Sequence, residues 1–181
     1  MTALPYGLRD VKLTPIESDG SYGAMVDLPN GRTFSFAEAE EFSELRGDDQ
    51  LVAIRGNGAE VNWSLEGGGI SLEAWKVMAG GTVDESGTEP DIVKTYSKKG
   101  TDTRPYFRVD GKAISDSGGD FHVSIYRCRA TDDLEGEMQD GEFWLSGAGG
   151  RAMPDPNHDG ALYDFVQNPS ETEITQPTDP S

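Results

Sequence analysis

The sequence has little of what surface chemistry is usually built from. It has one cysteine and two histidines among 181 residues. A single cysteine excludes an intrachain disulfide and a cysteine-based zinc site. Cys128 lies in "HVSIYRCRAT", which reads as a strand, and no His or Asn is placed by sequence to activate it. His122 and His158 are too far apart to point to a metal cluster. Basic residues are scarce as well: 15 Lys and Arg stand against 33 Asp and Glu, a formal net charge of -18. Such a surface repels phosphate, which disfavours ordinary binding to nucleic acid or to an anionic membrane. No apolar run approaches the roughly 18 residues of a membrane span. The N-terminal "MTALPYGLRDVKL" lacks a basic stretch followed by an apolar core. A non-membrane product made in a cytoplasm is expected.

Glycine is plentiful, 23 of 181 residues, and hydrophobic residues make up 35%. One folded domain with many turns around a modest core is expected over residues 1–166. The remainder, 167–181, is acidic and proline-containing with no base, and reads as a flexible tail.

The hydrophobic period along the chain is mostly that of strands. "GLRDVKLTPI" (7–16) reads as an opening strand or arm. "SYGAMVDLP" (21–29) and "RTFSF" (32–36) read as a hairpin across Pro29-Asn30-Gly31. "QLVAIRG" (50–56) and "AEVNWSLE" (59–66) flank Asn57-Gly58, a two-residue hairpin signal. Segments 91–97, 105–114, 120–130, 141–147 and 161–167 are further strand candidates, and 80–90 reads as a polar loop. "AEAEEFSELRGDD" (37–49) has two large apolar residues and six acids, so it reads as an exposed arm. The one clear helix spans about 70–79, where Ile70, Leu72, Trp75, Val77 and Met78 share a helical face. Ser71 is its candidate N-cap and Gly80-Gly81 its stop. Many strands around one short helix predict a mainly β fold: a β-sandwich or small barrel with a flanking helix and extended arms at about 1–16 and 37–50.

Motifs for chemistry fail one by one. "EGGGISLEAW" joins strand to helix, yet it has neither G-x-G-x-x-G nor a P-loop lysine, and Glu66 would repel phosphate. "DPNHDG" places Asp155, Asn157 and Asp159 at calcium-loop positions 1, 3 and 5, but Val166 stands where a bidentate Glu belongs. A surface turn is the better reading. "RPYF" (104–107) reads as core packing rather than base stacking. Carboxylate abundance alone does not mark a glycosidase pair, and no G-x-S-x-G appears. No enzyme activity and no cofactor are expected.

What remains is the order of segments: "GLRDVKLTPI", "VDLPNGRTFSF", an acidic arm ending "LRGDD", "VNWSLEGGGISLEAWKVMAGG", "RPYFRVDGKAI", "DFHVSIYRCRA" and "GEFWLSG". Over about residues 7–166 this order resembles the major tail protein (tail tube protein) of long-tailed, non-contractile bacteriophages, notably those of actinobacterial hosts. The resemblance implies a β-sandwich with a flanking helix, a homo-hexamer ring, and rings stacked into the tube that carries the genome. It also implies a tape-measure protein in the lumen and tail completion or tip proteins at the ends. The location would be the virion tail, after synthesis in the host bacterial cytoplasm. DNA would pass through without specific binding, which suits the charge. Residues 37–49 hold the position of the ring-to-ring arm, making Phe42, Leu45, Arg46, Asp48 and Asp49 the candidate inter-ring contacts. Lys94, Lys98, Lys99 and Arg104 are candidate partners for the arm's acids. The competing expectation is an acidic β-sandwich binding or virion-decoration module recognising carbohydrate or another protein.

Overall fold

Most of the alternating apolar runs form strands, and the longer ones bury one face against a common core. The computed structural model describes residues 2–179. In chain order the elements are β1 (Pro5–Ile16), β2 (Val26–Asp27), β3 (Gly31–Gly47), β4 (Gln50–Gly68), α1 (Leu72–Ala79), β5 (Thr82–Ser86) and β6 (Val93–Ser97). They continue with β7 (Tyr106–Ser115), β8 (Asp120–Ala130), β9 (Glu135–Glu137), β10 (Leu145–Ala152) and β11 (Tyr163–Asn168). The fold is mainly β with one flanking helix, consistent with a β-sandwich.

A nine-stranded antiparallel sheet runs β2-β1-β7-β8-β10-β4-β3, with β9 on β10 and β11 on β8. The sheet forks at β8. Residues Asp120–Ile125 pair with β11, while Cys128–Ala130 pair with β10 and so lead on to β4 and β3. The two branches curl over one core that includes Val11, Leu13, Val61, Trp63, Phe107 and Ile125. Trp63 meets Phe107 edge-on, with centroids 5.4 Å apart at 79°. Burying side chains of this size stabilises the fold by about 1.5–3 kcal/mol each.

The helix forms where the period changes. Ser71 accepts a hydrogen bond from the Ala74 amide at 3.3 Å, and the Gly80 amide donates to the Lys76 carbonyl at 2.8 Å. Gly80 has φ 78°, and a Cβ there would stand 2.5 Å from the Thr103 carbonyl oxygen. Only glycine fits that stop. Val77, Met78 and Ala74 are buried, and Trp75 is half-buried against the core. Leu72 is half-buried at the first turn. Ile70 departs from the expected packing face and is exposed, because it precedes the cap and lies off the helix.

Four other expectations change. Of the two readings of the first segment the strand holds and the arm does not: it is β1, with Val11, Leu13 and Thr14 fully buried. Its partner β7 lies about a hundred residues downstream, so no local pattern revealed it. The 21–29 segment does not pair with 32–36: β2 pairs with β1, and 33–36 pair with 63–66. The 80–90 loop contains β5, which pairs with β6 as a separate small sheet. Strand β10 begins at Leu145 rather than within 141–144, and its glycines lie against β4.

Strand β11 takes in the first two residues of the acidic tail; from 169 to 179 the tail has no regular secondary structure, but it is tied to the body. The Thr172 amide and the Asn168 amide group each donate to Asp120 at 2.7 Å. Lys112 donates to Glu171 at 3.0 Å. Gln176 accepts from the Met25 amide and donates to the Gly23 carbonyl, and Asp179 accepts from the Tyr22 amide. Among the described residues no helix is long and apolar enough to cross a membrane.

Candidate functional site

Strands β3 and β4 form one hairpin whose two halves differ. The proximal half sits on the core through Phe34, Phe36, Val61, Trp63 and Leu65. Beyond it every residue from Glu40 to Gly58 is exposed. At about 3.3 Å per residue this distal part projects by roughly 25–30 Å. The expected arm is therefore a paired hairpin in the single chain, not an unstructured segment.

Its turn is Asp48-Asp49, both with left-handed φ (51° and 61°), between the paired Gly47 and Gln50. Two positive φ values in a two-residue connection suit the right-handed twist of the strands, and Asp tolerates them. Asn57-Gly58 is not the turn. It is a bulge inside β4, where the register shifts between Glu40/Phe42 and Gly58 takes φ 100°. Asn57 donates to Ser43 across the strands at 3.0 Å and fastens the bulge. A bulge leaves one residue unpaired and bends the strand, so it marks the point where the hairpin leaves the body.

The hairpin's apolar content comes from both strands. Phe42, Leu45, Leu51, Val52 and Ile54 are between 47% and 62% exposed. Phe42 follows Phe34 and Phe36 at even spacing on uninterrupted β3, so it extends their inward face. Ile54 opposes Glu44 on that face, while Leu45 and Ala53 oppose each other on the other. Leu51, Val52 and Ile54 were not recognised as site residues from the sequence, because the Asn57-Gly58 signal assigned 50–56 to a covered strand. The available signal was an apolar Leu-Val-Ala-Ile run with no buried partner. Of the remaining candidates, Arg46 pairs with Glu44 at 2.9 Å, and Asp48 and Asp49 make the turn. An exposed pair of this kind adds about 0–1 kcal/mol.

The proposed basic partners are mostly engaged at home. Lys94 pairs with Glu85, Lys98 donates to the Ala79 carbonyl at the helix end, and Arg104 donates to the Ala130 and Asp132 carbonyls. Only Lys99 of the four makes no side-chain ion pair or hydrogen bond found among the described residues.

The calcium-loop candidate is closed by its own hydrogen bonds. Asp155 is buried and accepts from the Asn157 amide at 3.1 Å and lies 2.8 Å from His158 Nδ1. It caps the 3-10 turn Pro156–His158, and Asp159 adopts φ 52° at its end. Among the described residues no group of three or more His, Cys, Asp or Glu is arranged to hold a metal ion. Cys128 is fully buried, and that burial pushes its thiol well above the ordinary value, which leaves it unreactive.

A second apolar surface lies in the fork between β11 and β3. Leu8, Phe34, Phe36, Phe121, Val123 and Phe165 line a groove of about 500 Å3, with Arg32 and Lys112 on its walls. Its rings form a continuous cluster: Phe36 to Phe165 and Phe121 to Phe165 are each 5.6 Å apart, and Phe34 to Phe36 is 6.0 Å. Gly111 makes room for it, since a Cβ there would stand 2.4 Å from the Phe34 ring. Phe165 is half exposed. Tyr163 packs beside Phe36 and Phe165 and donates to Glu38 at 2.7 Å.

In comparisons with known proteins, no family model matches this chain and no curated protein matches it significantly.

Proposed function

We propose that this chain is a self-assembling structural subunit, and that it builds the tail tube of a long-tailed bacteriophage as stacked hexameric rings. The observation that carries the reading is the distal hairpin, with five large apolar side chains exposed on a paired, projecting element. Single exposed apolar residues are ordinary, whereas a group of this size on one projection marks an interaction surface. A hairpin cannot bury both its faces by itself, so a neighbouring subunit is the natural cover. The long free edge of β3 is a further surface that assembly would protect.

The remaining properties agree with a conduit. The fold class is the one the segment order implies. A net charge of -18 per subunit is multiplied sixfold in a ring, and any part of it facing a lumen repels DNA phosphates. The hexamer, the tape-measure protein and the tail-end partners rest on the resemblance in segment order.

Multi-angle light scattering and negative-stain electron microscopy of the purified chain test the reading. Rings or tubes are expected, and they should disappear when residues 41–57 are replaced by a short Gly-Ser turn. Both strands of the projection must go, since removing 38–48 alone would strand 50–56 without a partner. A wild-type chain that stays monomeric at all concentrations overturns the reading. The binding-module alternative would then gain support from the acidic 132–142 loop, which presents Met138 and, just beyond it, Phe143, both over 80% exposed.

A further inference from the structure

Two apolar surfaces stand apart on this molecule, and one has the shape to receive the other. Building on the self-assembly reading above, we infer that the fork groove is the socket for the distal hairpin of a second copy, with Phe42 as the inserted residue and Ile54 beside it.

The chain's own hairpin cannot fill the groove. Phe36 is part of the groove wall, and Phe42 lies six positions further along the same unbroken strand, about 20 Å away. A paired strand does not fold back on itself over that distance. The hairpin tip at Asp48-Asp49 is further still. Only another molecule can bring Phe42 to Phe34, Phe121 and Phe165.

Size and charge suit this occupant. The groove's volume falls in the range of about 300–1,000 Å3 typical of clefts that enclose a ligand. An aromatic ring entering it meets ring faces and edges at distances that favour tilted packing, as its walls already show among themselves. Glu40 and Glu44 flank Phe42 on the same strand face. Arg32, at the groove wall, is 58% exposed and has only an exposed partner, Glu66 at 3.6 Å. It is free to turn to an incoming carboxylate. Lys112 is held by Asp120 and Glu171 and keeps its present role.

Socket and plug are different patches of one chain, so two copies could exchange them reciprocally in a two-fold dimer, whereas one contact per neighbour is heterologous. Repetition of such a contact closes into a ring or continues as a filament. An isologous hairpin-to-hairpin contact would stop at a dimer. The two geometries give different answers in a mixing experiment.

The experiment uses the full chain and two variants, Phe42→Glu and Phe165→Glu, measured by sedimentation velocity. The first keeps the socket, and the second keeps the plug. Each alone should lose self-association by about a hundredfold, the size expected for a buried aromatic anchor. Mixed in equal amounts they should form a 1:1 heterodimer held by one intact contact, and go no further. A benzophenone photo-crosslinker in place of Phe42, in otherwise wild-type chain, should form intermolecular crosslinks to 5–8, 32–36, 111–113, 121–123 or 163–165. This arm does not depend on the folding of Phe165→Glu. Wild-type oligomers with no complementation, or with crosslinks to the neighbour's hairpin or elsewhere, would overturn the socket and leave the assembly reading standing. A wild-type chain that never self-associates would overturn both.

Discussion

The two halves of the β3–β4 hairpin share strands, register and hydrophobic alternation, yet only one half is covered. In the proximal half Val61, Trp63 and Leu65 point into a core completed by β1, β7, β8 and the helix. In the distal half Phe42 and Ile54 continue the same face past the end of that core and stay more than half exposed. The distal half leaves apolar side chains that its own molecule does not cover. The first half explains why the domain folds, and the second is the surface on which the proposed assembly rests. A bulge at Asn57-Gly58 separates the two.

That division can be broken most severely from the proximal side. Trp63 is almost fully buried and packs edge-on against Phe107. Trp63→Ala should destabilise the monomer by about 3–5 kcal/mol in denaturant unfolding. A loss under about 1 kcal/mol would mean the core closes without it. Trp75 on the helix is only half-buried, so Trp75→Ala should cost less, about 2 kcal/mol by the same measurement. An equal loss at both positions would show that the helix is as central to the core as β4.

How much of this was legible in the sequence follows from where each partner lies. The helix was readable because its cap Ser71 and its stop Gly80 act within one or two turns. The strands were readable as strands because alternation is local. Their pairing was not, since β1 finds β7 about a hundred residues away, and nothing in "GLRDVKLTPI" encodes that. Asn57-Gly58 carries the local chemistry of a turn and Asp48-Asp49 a weaker version of it. The choice between them is settled by which strands can pair over the greater length. Six acids concealed the apolar character of the projection, because Leu51, Val52 and Ile54 are on the other strand. The groove could not be foreseen at all: Leu8, Phe34, Phe121 and Phe165 converge only when the sheet forks.

The tail gives a smaller, pH-dependent test away from both halves. Burial alone would push the Asp120 carboxyl up, but donors at the Thr172 amide, Asn168 and His122 hold it below its ordinary value. A depressed folded value means that the stabilisation is fully present above the unfolded value near pH 4 and is lost as pH falls through the lower, folded one. Hydrogen exchange at the Thr172 amide should therefore be protected at neutral pH and lose its protection in acid below about pH 4. In Asp120→Asn that acid-dependent step should vanish. A step that persists in the variant would assign the tail's anchoring to another carboxylate, with Glu171 on Lys112 the nearest choice.

The smallest effect on stability is expected at the distal half, and it is the one that sharpens the comparison most. Leu45 and Ile54 lie on opposite faces of the projection, both more than half exposed. Replacing them with serine removes apolar surface that the monomer leaves mostly exposed. Leu45→Ser with Ile54→Ser should change unfolding free energy by no more than about 0.5 kcal/mol at concentrations where the chain is monomeric. On the assembly proposed above, the same double variant should lose the self-association expected of wild type at higher concentration. A core position cannot behave in this way, because loss of folding and loss of assembly would move together. If the double variant were destabilised by about 2 kcal/mol or more as a monomer, the hairpin would have to fold back onto the body in solution. If it were neutral in both measurements, its exposed apolar side chains would be ordinary surface, and assembly would have to use the β3 edge or the β5–β6 sheet instead.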